Sequence, residues 1–243
     1  MIIGITGQPP AGSGKDTVAN YLVKHYSFVK VALADPMKRF CAEVFDFTDE
    51  QLWGPSEQRN EPDKRFKRPL SEQNEAVVKG LQVPREFVLT PEMCHLTPRY
   101  ALQRLGTEWG RDCYSDVWVD YCLRVAKKVM WGQEHKTHDK WDYSQEEGLF
   151  PWNLGSMEDI AGVVIPDVRF DNEAAAIQKA GGKIWLINRH DAGLKGEAGK
   201  HASELGVSEE FIDFCIKNNK GFGWLYQQVQ TLMNGKQLPP SGG

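Results

Sequence analysis

Gly7-Gln8-Pro9-Pro10-Ala11-Gly12-Ser13-Gly14-Lys15-Asp16-Thr17 lies between the apolar run Met1–Thr6 and a segment with Val18, Tyr21, Leu22 and His25 at helical spacing. The order is strand, glycine-rich turn, helix, and a second apolar run, Val29–Ala34, reads as the next strand. That unit opens a parallel α/β sheet. The turn has the chemistry of a phosphate cradle: successive backbone N–H groups curl around an anion and the helix N-terminus adds its positive end. Gly12 and Gly14 permit positive φ and close backbone approach, and Lys15 is placed to reach the β- and γ-phosphates of a nucleoside triphosphate. The alternative is a plain glycine-rich strand–helix turn.

Two features depart from the usual G-x4-G-K-[ST] spacing. The loop is enlarged on its N-terminal side, where Pro9 and Pro10 remove two donors. Asp16 stands where a Ser or Thr normally binds Mg²⁺, so either Asp16 or Thr17 holds the ion.

Farther along, Thr97–Leu105 and Ser115–Met130 read as helices, Gly162–Pro166 as a buried strand and Asn172–Ala180 as a helix closed by Gly181-Gly182. Lys183–Asn188 and Phe211–Ile216 read as further strands, with a closing helix from Phe222 to Met233. The whole chain, 1–243, reads as one domain. Polar stretches at about 46–96, centred on a charged and proline-bearing region from Glu50 to Arg68, and at 131–160 read as insertions. Residues 236–243 read as a disordered tail.

Composition narrows the class. A 41% hydrophobic, 26% charged chain of 243 residues is that of a globular protein, with no run approaching the ~18 apolar residues of a membrane span. A net charge of −4 argues against a nucleic-acid partner, as does the acidic character of the Trp-rich stretch 131–152. Five cysteines without metal-type spacing point to free thiols in a reducing, cytoplasmic compartment.

A phosphoryl-transferring site needs cations from a second segment. Arg99, Gln103 and Gly106 fall near one helical face, with Arg104 between them and Arg111 just beyond; the bland reading is solvated helix decoration. Asp167, Arg169 and Glu173 follow the strand ending at Pro166, where open α/β sheets bind ligands. They line such a site, or else form an internal salt bridge beside an N-cap by Asp171 or Asn172. Trp118 and His201 read by themselves as a core aromatic and an exposed loop side chain.

The ordered set G…SGKDT (12–17), R-x3-Q-x2-GT-x3-R (99–111), Trp118 and IPDVRFDNEA (165–174), with His201–Glu204 and the Ile216–Gly221 turn, resembles the bacteriophage deoxynucleoside monophosphate kinases. The resemblance spans most of the chain, least at 46–96 and 131–160. It implies a three-layer αβα domain of the P-loop nucleoside monophosphate kinase type, with ATP and Mg²⁺ as donor and cofactor. By it, Gly12, Ser13, Gly14, Lys15, Asp16 and Thr17 would hold ATP–Mg²⁺, and Arg99 and Arg111 would approach the donor phosphates. Pro36-Met37-Lys38 would meet the acceptor, with Trp118, Asp167, Arg169 and Glu173 completing the monophosphate pocket; Asp35 is a weaker candidate. The reaction so implied carries the ATP γ-phosphoryl group to a deoxynucleoside monophosphate, in the cytoplasm of a host if the chain is of phage origin. A homodimer is in keeping with related enzymes. The rivals are another small-molecule kinase, such as a dephospho-coenzyme A kinase, and a non-enzymatic ATP-binding module.

Overall fold

Five parallel strands build the core of the protein, seen in a computed structural model that describes residues 1–8, 12–69, 88–90, 93–130, 160–189 and 206–235. They are β1 (Ile2–Gln8), β2 (Phe28–Lys30), β6 (Gly162–Ile165), β7 (Lys183–Asn188) and β8 (Phe214–Lys217), ordered β2-β6-β1-β7-β8. All four pairings are parallel, so the strand preceding the glycine-rich turn is central.

Period-two alternation along β1 divides its side chains between two layers. Ile3 and Ile5 pack with Val18, Ala19 and Leu22 of α1 (Lys15–Tyr26) and Leu225 and Val229 of α8 (Phe222–Met233). Ile2 faces the other way, into a cluster with Val119, Cys122 and Val125 of α6 (Val117–Met130) and Ala174 and Ile177 of α7 (Asp171–Lys179). The result is the three-layer αβα arrangement expected from the sequence.

The stretch 46–96, read from the sequence as an insertion, carries helices and strands of its own among its described residues. After α2 (Asp35–Phe45) come two short helices, α3 (Asp49–Trp53) and α4 (Ser56–Asn60). Strands β3 (Asp63–Pro69), β4 (Val88–Thr90) and β5 (Met93–Leu96) then form a separate antiparallel sheet, ordered β3-β5-β4. Phe47, Leu52, Leu96 and Ala101 give this lobe its own small core with Cys41 and Ala42 of α2. A Thr48–Gln51 capping box starts α3, and Asp63 accepts bonds from Gln51 and Arg65. Local capping and an ion pair thus fold a stretch whose polarity reads as an excursion.

Besides shifts of one or two residues elsewhere, three elements depart from the sequence reading. Val29–Ala34 is a strand only to Lys30. The chain then turns, because Asp35 accepts the Ala32 N–H and Asp167 accepts those of Leu33 and Ala34. Val31 still donates its N–H to the Val164 carbonyl at 2.9 Å, and the buried Leu33 side chain packs in the same cluster as Val31. The last strand begins at Phe214 instead of Phe211, after a 3₁₀ turn at Glu209–Phe211. Asp213 fixes that register by accepting bonds from Ile184 N–H, Gln178 and Lys183. The helix expected over Thr97–Leu105 is α5 (Pro98–Gln103), which widens into a π-helical turn at Arg104–Arg111. Most of the 131–160 insertion, His201–Glu204, the 236–243 tail, and Pro9 and Pro10 lie outside the described residues.

Candidate active site

The described part of the turn after β1, Gly12–Gly14, has backbone features suited to an anion. Gly14 caps α1 with φ 101°, without a side-chain cap, so the first N–H groups of the helix are left for a ligand. Gly12 also has positive φ, 75°. A Cβ on Gly7 would lie 2.1 Å from the Ser13 hydroxyl and 3.2 Å from Cδ of Lys15, so only glycine lets the loop and the lysine stem fold across the end of β1. The buried Ser13 hydroxyl has no hydrogen-bond partner among the described residues. A donor-rich turn of this kind fits the phosphates of a nucleotide. Asp16 and Thr17 in the first turn of α1 fit Mg²⁺, which takes one or two protein oxygens and completes its shell with phosphate and water. No cluster of three metal-ligating side chains occurs among the described residues.

Around this cradle the ends of β2 and β6 and the insertion contribute charge. Lys38, on the first turns of α2, feels Asp35, Asp167 and Asp16 as well as Arg59, and it stands 5.4 Å from the Trp53 ring centroid. Burial pushes its ammonium down to about 8, with Arg59 adding to the shift. Arg59 of α4 feels in turn the charges of Asp16 and Arg169. Five segments therefore converge: the cradle, the turn at 32–38, α3, α4 and the 167–173 turn. Of the residues marked from the sequence, Asp16, Lys38, Asp167 and Arg169 fall together here, beside Lys15. Arg59 does not announce itself in the sequence; it lies in a charged stretch between Pro55 and Pro62 that carries no periodic signal.

Asp167 bonds to protein. Its two oxygens accept the N–H groups of Leu33 and Ala34 at 2.9 and 3.0 Å, pinning the turn that leads into α2 and Lys38. Burial pushes the Asp167 carboxyl up, against the pull of these donors. Asp167→Asn replaces one acceptor oxygen with an NH₂ facing an N–H. It is expected to cost about 1–3 kcal/mol in urea denaturation; an unchanged midpoint would show the pin to be dispensable.

Arg111, Trp118 and Glu173 form a second group. One Oε of Glu173 accepts the N–H groups of Arg169 and Phe170, and the other pairs with Arg111 at 2.9 Å. The other terminal nitrogen of Arg111 donates to Asn172 at 2.8 Å, and the guanidinium lies over the Phe170 ring, 3.8 Å from its centroid. The Trp118 indole donates to the Gly106 carbonyl at 2.8 Å. It packs on the π turn where a Cβ at Gly110 would meet it at 2.3 Å. Glu173 thus makes an internal ion pair and itself caps the start of α7, where Phe170 rather than Asp171 or Asn172 is the N-cap, and Trp118 is an aromatic packed at the edge of the core. Together they fasten the 104–111 turn to α7. Arg99 reaches the other way, donating to Asn60 at the end of α4.

No family model matches the chain. A protein of Acanthamoeba polyphaga mimivirus, provisionally named a deoxynucleotide monophosphate kinase, is 31% identical over 230 residues, covering 94% of each chain. Similarity at that level over nearly the full length extends across both the parallel sheet and the insertion lobe. No helix among the described residues is long and apolar enough to cross a membrane. With a parallel αβα sheet and a kinase relative similar over nearly its full length, the chain belongs to the deoxynucleotide monophosphate kinase family of nucleotide kinases.

Proposed function

We propose that the protein transfers the γ-phosphoryl group of ATP to the phosphate of a deoxynucleoside monophosphate, giving the diphosphate. The observation that carries this reading is the convergence of Lys38, Arg59 and Arg169 on the side of the cradle where Asp16 sits. A module that only binds ATP has no use for a second set of cations beyond the phosphate loop, whereas an acceptor phosphate needs one.

In this reading the Gly12–Thr17 backbone and Lys15 hold the donor phosphates. Lys38, Arg59 and Arg169 orient the acceptor phosphate and screen the repulsion between the two anions. Asp16 or Thr17 would hold Mg²⁺, which supplies charge neutralisation on the transferring group. Asp167 and Glu173 act through others, the first by setting the turn before Lys38 and the second by holding Arg111. Catalysis is then positioning and electrostatics, without a strong general base. The active protein would work in the cytoplasm, on nucleotides, with neither nucleic acid nor membrane as partner, and as a monomer or homodimer.

The test is ADP release with ATP–Mg²⁺ and each of dTMP, dGMP, dCMP and dAMP, their ribonucleotide counterparts and dephospho-coenzyme A. Stimulation by one or more deoxynucleotides is expected. Stimulation by dephospho-coenzyme A alone would move the protein to a different acceptor class, and ATP binding without any acceptor effect would make it a binding module.

Lys38 adds a pH signature. Its charge is lost as pH rises through about 8 in the free protein, so KM for the acceptor is expected to climb above that pH. Lys38→Met should raise KM at pH 7 and flatten the climb. For stability the sign is opposite. Between about 8 and the ordinary 10.5 the unfolded chain binds the extra proton, so stability gains with pH there, and the substitution removes that gain.

A further inference from the structure

The first residue beyond β7 and the first beyond β8 both reach back over the cradle. Arg189 continues the ladder by donating its N–H to the Gln8 carbonyl at 2.9 Å, and Asn218 does the same to the Asn188 carbonyl at 2.7 Å. Their backbones are therefore fixed by the sheet. From those anchored positions the Asn218 side-chain amide donates to the Ser13 carbonyl at 2.8 Å, and a guanidinium nitrogen of Arg189 donates to the Gly12 carbonyl at 3.2 Å.

A trans peptide unit is planar, so its C=O and N–H point in opposite directions. Holding the Ser13 carbonyl toward Asn218 turns the Gly14 N–H the other way, and holding the Gly12 carbonyl toward Arg189 does the same for the Ser13 N–H. These are two of the donors a phosphate loop must aim at its anion. Both flanking glycines sit at positive φ, 75° at Gly12 and 101° at Gly14, where the backbone is free to rotate unless something holds it. Pro9 and Pro10 have no N–H to give, so the remaining donors matter more. The contact with Asn218 is close enough to dictate sequence: a Cβ on Gly14 would lie 2.5 Å from the Asn218 amide nitrogen.

We propose that Asn218, assisted by Arg189, is a positioning residue that locks the Gly12–Ser13 and Ser13–Gly14 peptides with their N–H groups toward the donor phosphates. The inference rests on the reading of the cradle as an ATP site. It assigns Asn218 an effect on the donor alone, because the side chain bonds to the loop and lies on the β7–β8 side of β1. Lys38 and Asp167 belong to the β2–β6 side.

Asn218→Leu keeps the side-chain branching and removes the donor. The variant is expected to bind ATP and ADP about tenfold more weakly by titration calorimetry, the size of one hydrogen bond acting through a preorganised site. KM for ATP should rise by a similar factor while KM for the monophosphate stays put, and Arg189→Ala should show the same split to a smaller degree. A fall in kcat with both KM values and nucleotide affinity unchanged, or equal losses for donor and acceptor, would overturn the assignment. So would ATP affinity equal to that of the parent protein. Failure of the underlying site reading looks different: the parent protein itself would bind no ATP.

Discussion

Lys15→Ala is expected to lower kcat/KM for phosphoryl transfer by about a thousandfold or more, with the melting temperature almost unchanged. The lysine is the first residue of α1, and its stem runs across the open face of Gly7 at the end of the central strand. In the proposed reading its ammonium would meet the donor phosphates. Removing a single preorganised donor from a site of this type typically costs about 10²–10³ in rate, and charges that act mainly in the transition state cost more. The fold does not depend on it. Burial of α1 rests on Val18, Ala19 and Leu22, and a substitution at a part-exposed first-turn position is worth within about 0.5 kcal/mol. A variant that keeps its activity would remove the cradle from the mechanism. A variant that unfolds would show Lys15 to be structural.

Arg111→Ala is expected to act through stability first. Its partner Glu173 is 4% exposed, and the pair is closed on one side by the Phe170 ring and on the other by Asn172. Removing one member of a buried pair strands the other, a loss of about 3–5 kcal/mol, or roughly 6–20 °C for a domain of this size. The loss should depend on pH, and its sign follows from the burial of Glu173. Burial pushes that carboxyl up to about 7 even with Arg111 beside it; without the arginine it rises further. In the parent protein the folded state therefore binds more protons than the unfolded state between the ordinary 4.5 and about 7, and stability falls as pH rises through that window. In the variant the window extends upward, so the deficit should be small near pH 6, where Glu173 is protonated, and large near pH 8.5. Adding Glu173→Gln should recover much of the deficit at high pH. A deficit that does not vary with pH would mean that the pair contributes packing alone.

Much of this protein is legible from its residues in order. The β1–cradle–α1 unit is written in local chemistry: an apolar run, glycines where φ must be positive, a lysine at the first helical position. The 165–174 segment is legible for the same reason, since a strand end and a helix start have local signals. Periodicity also located α6, because one buried face at helical spacing needs no knowledge of its partner.

What the sequence could not reveal depends on which distant side chain meets which backbone group. Val29–Ala34 has the apolar, β-branched look of one continuous strand. It breaks at Lys30 because a carboxylate from residue 167 takes two of its N–H groups, a contact 133 residues away in the chain. Arg59 is one charge among many in a polar stretch until α4 is carried against Asp16 by a lobe with its own small core. Trp118, Arg111 and Glu173 share a site-like pattern in sequence, yet burial turns them toward one another and toward the π turn. The sequence by itself determined the parallel αβα fold and the glycine-rich turn between β1 and α1, because strand periodicity, glycine conformation and helix capping act over a few neighbouring residues. Only the tertiary structure decided which charges gather at the cradle and which side chains hold its peptides, because those bonds join residues that nothing short of the folded sheet brings within 3 Å.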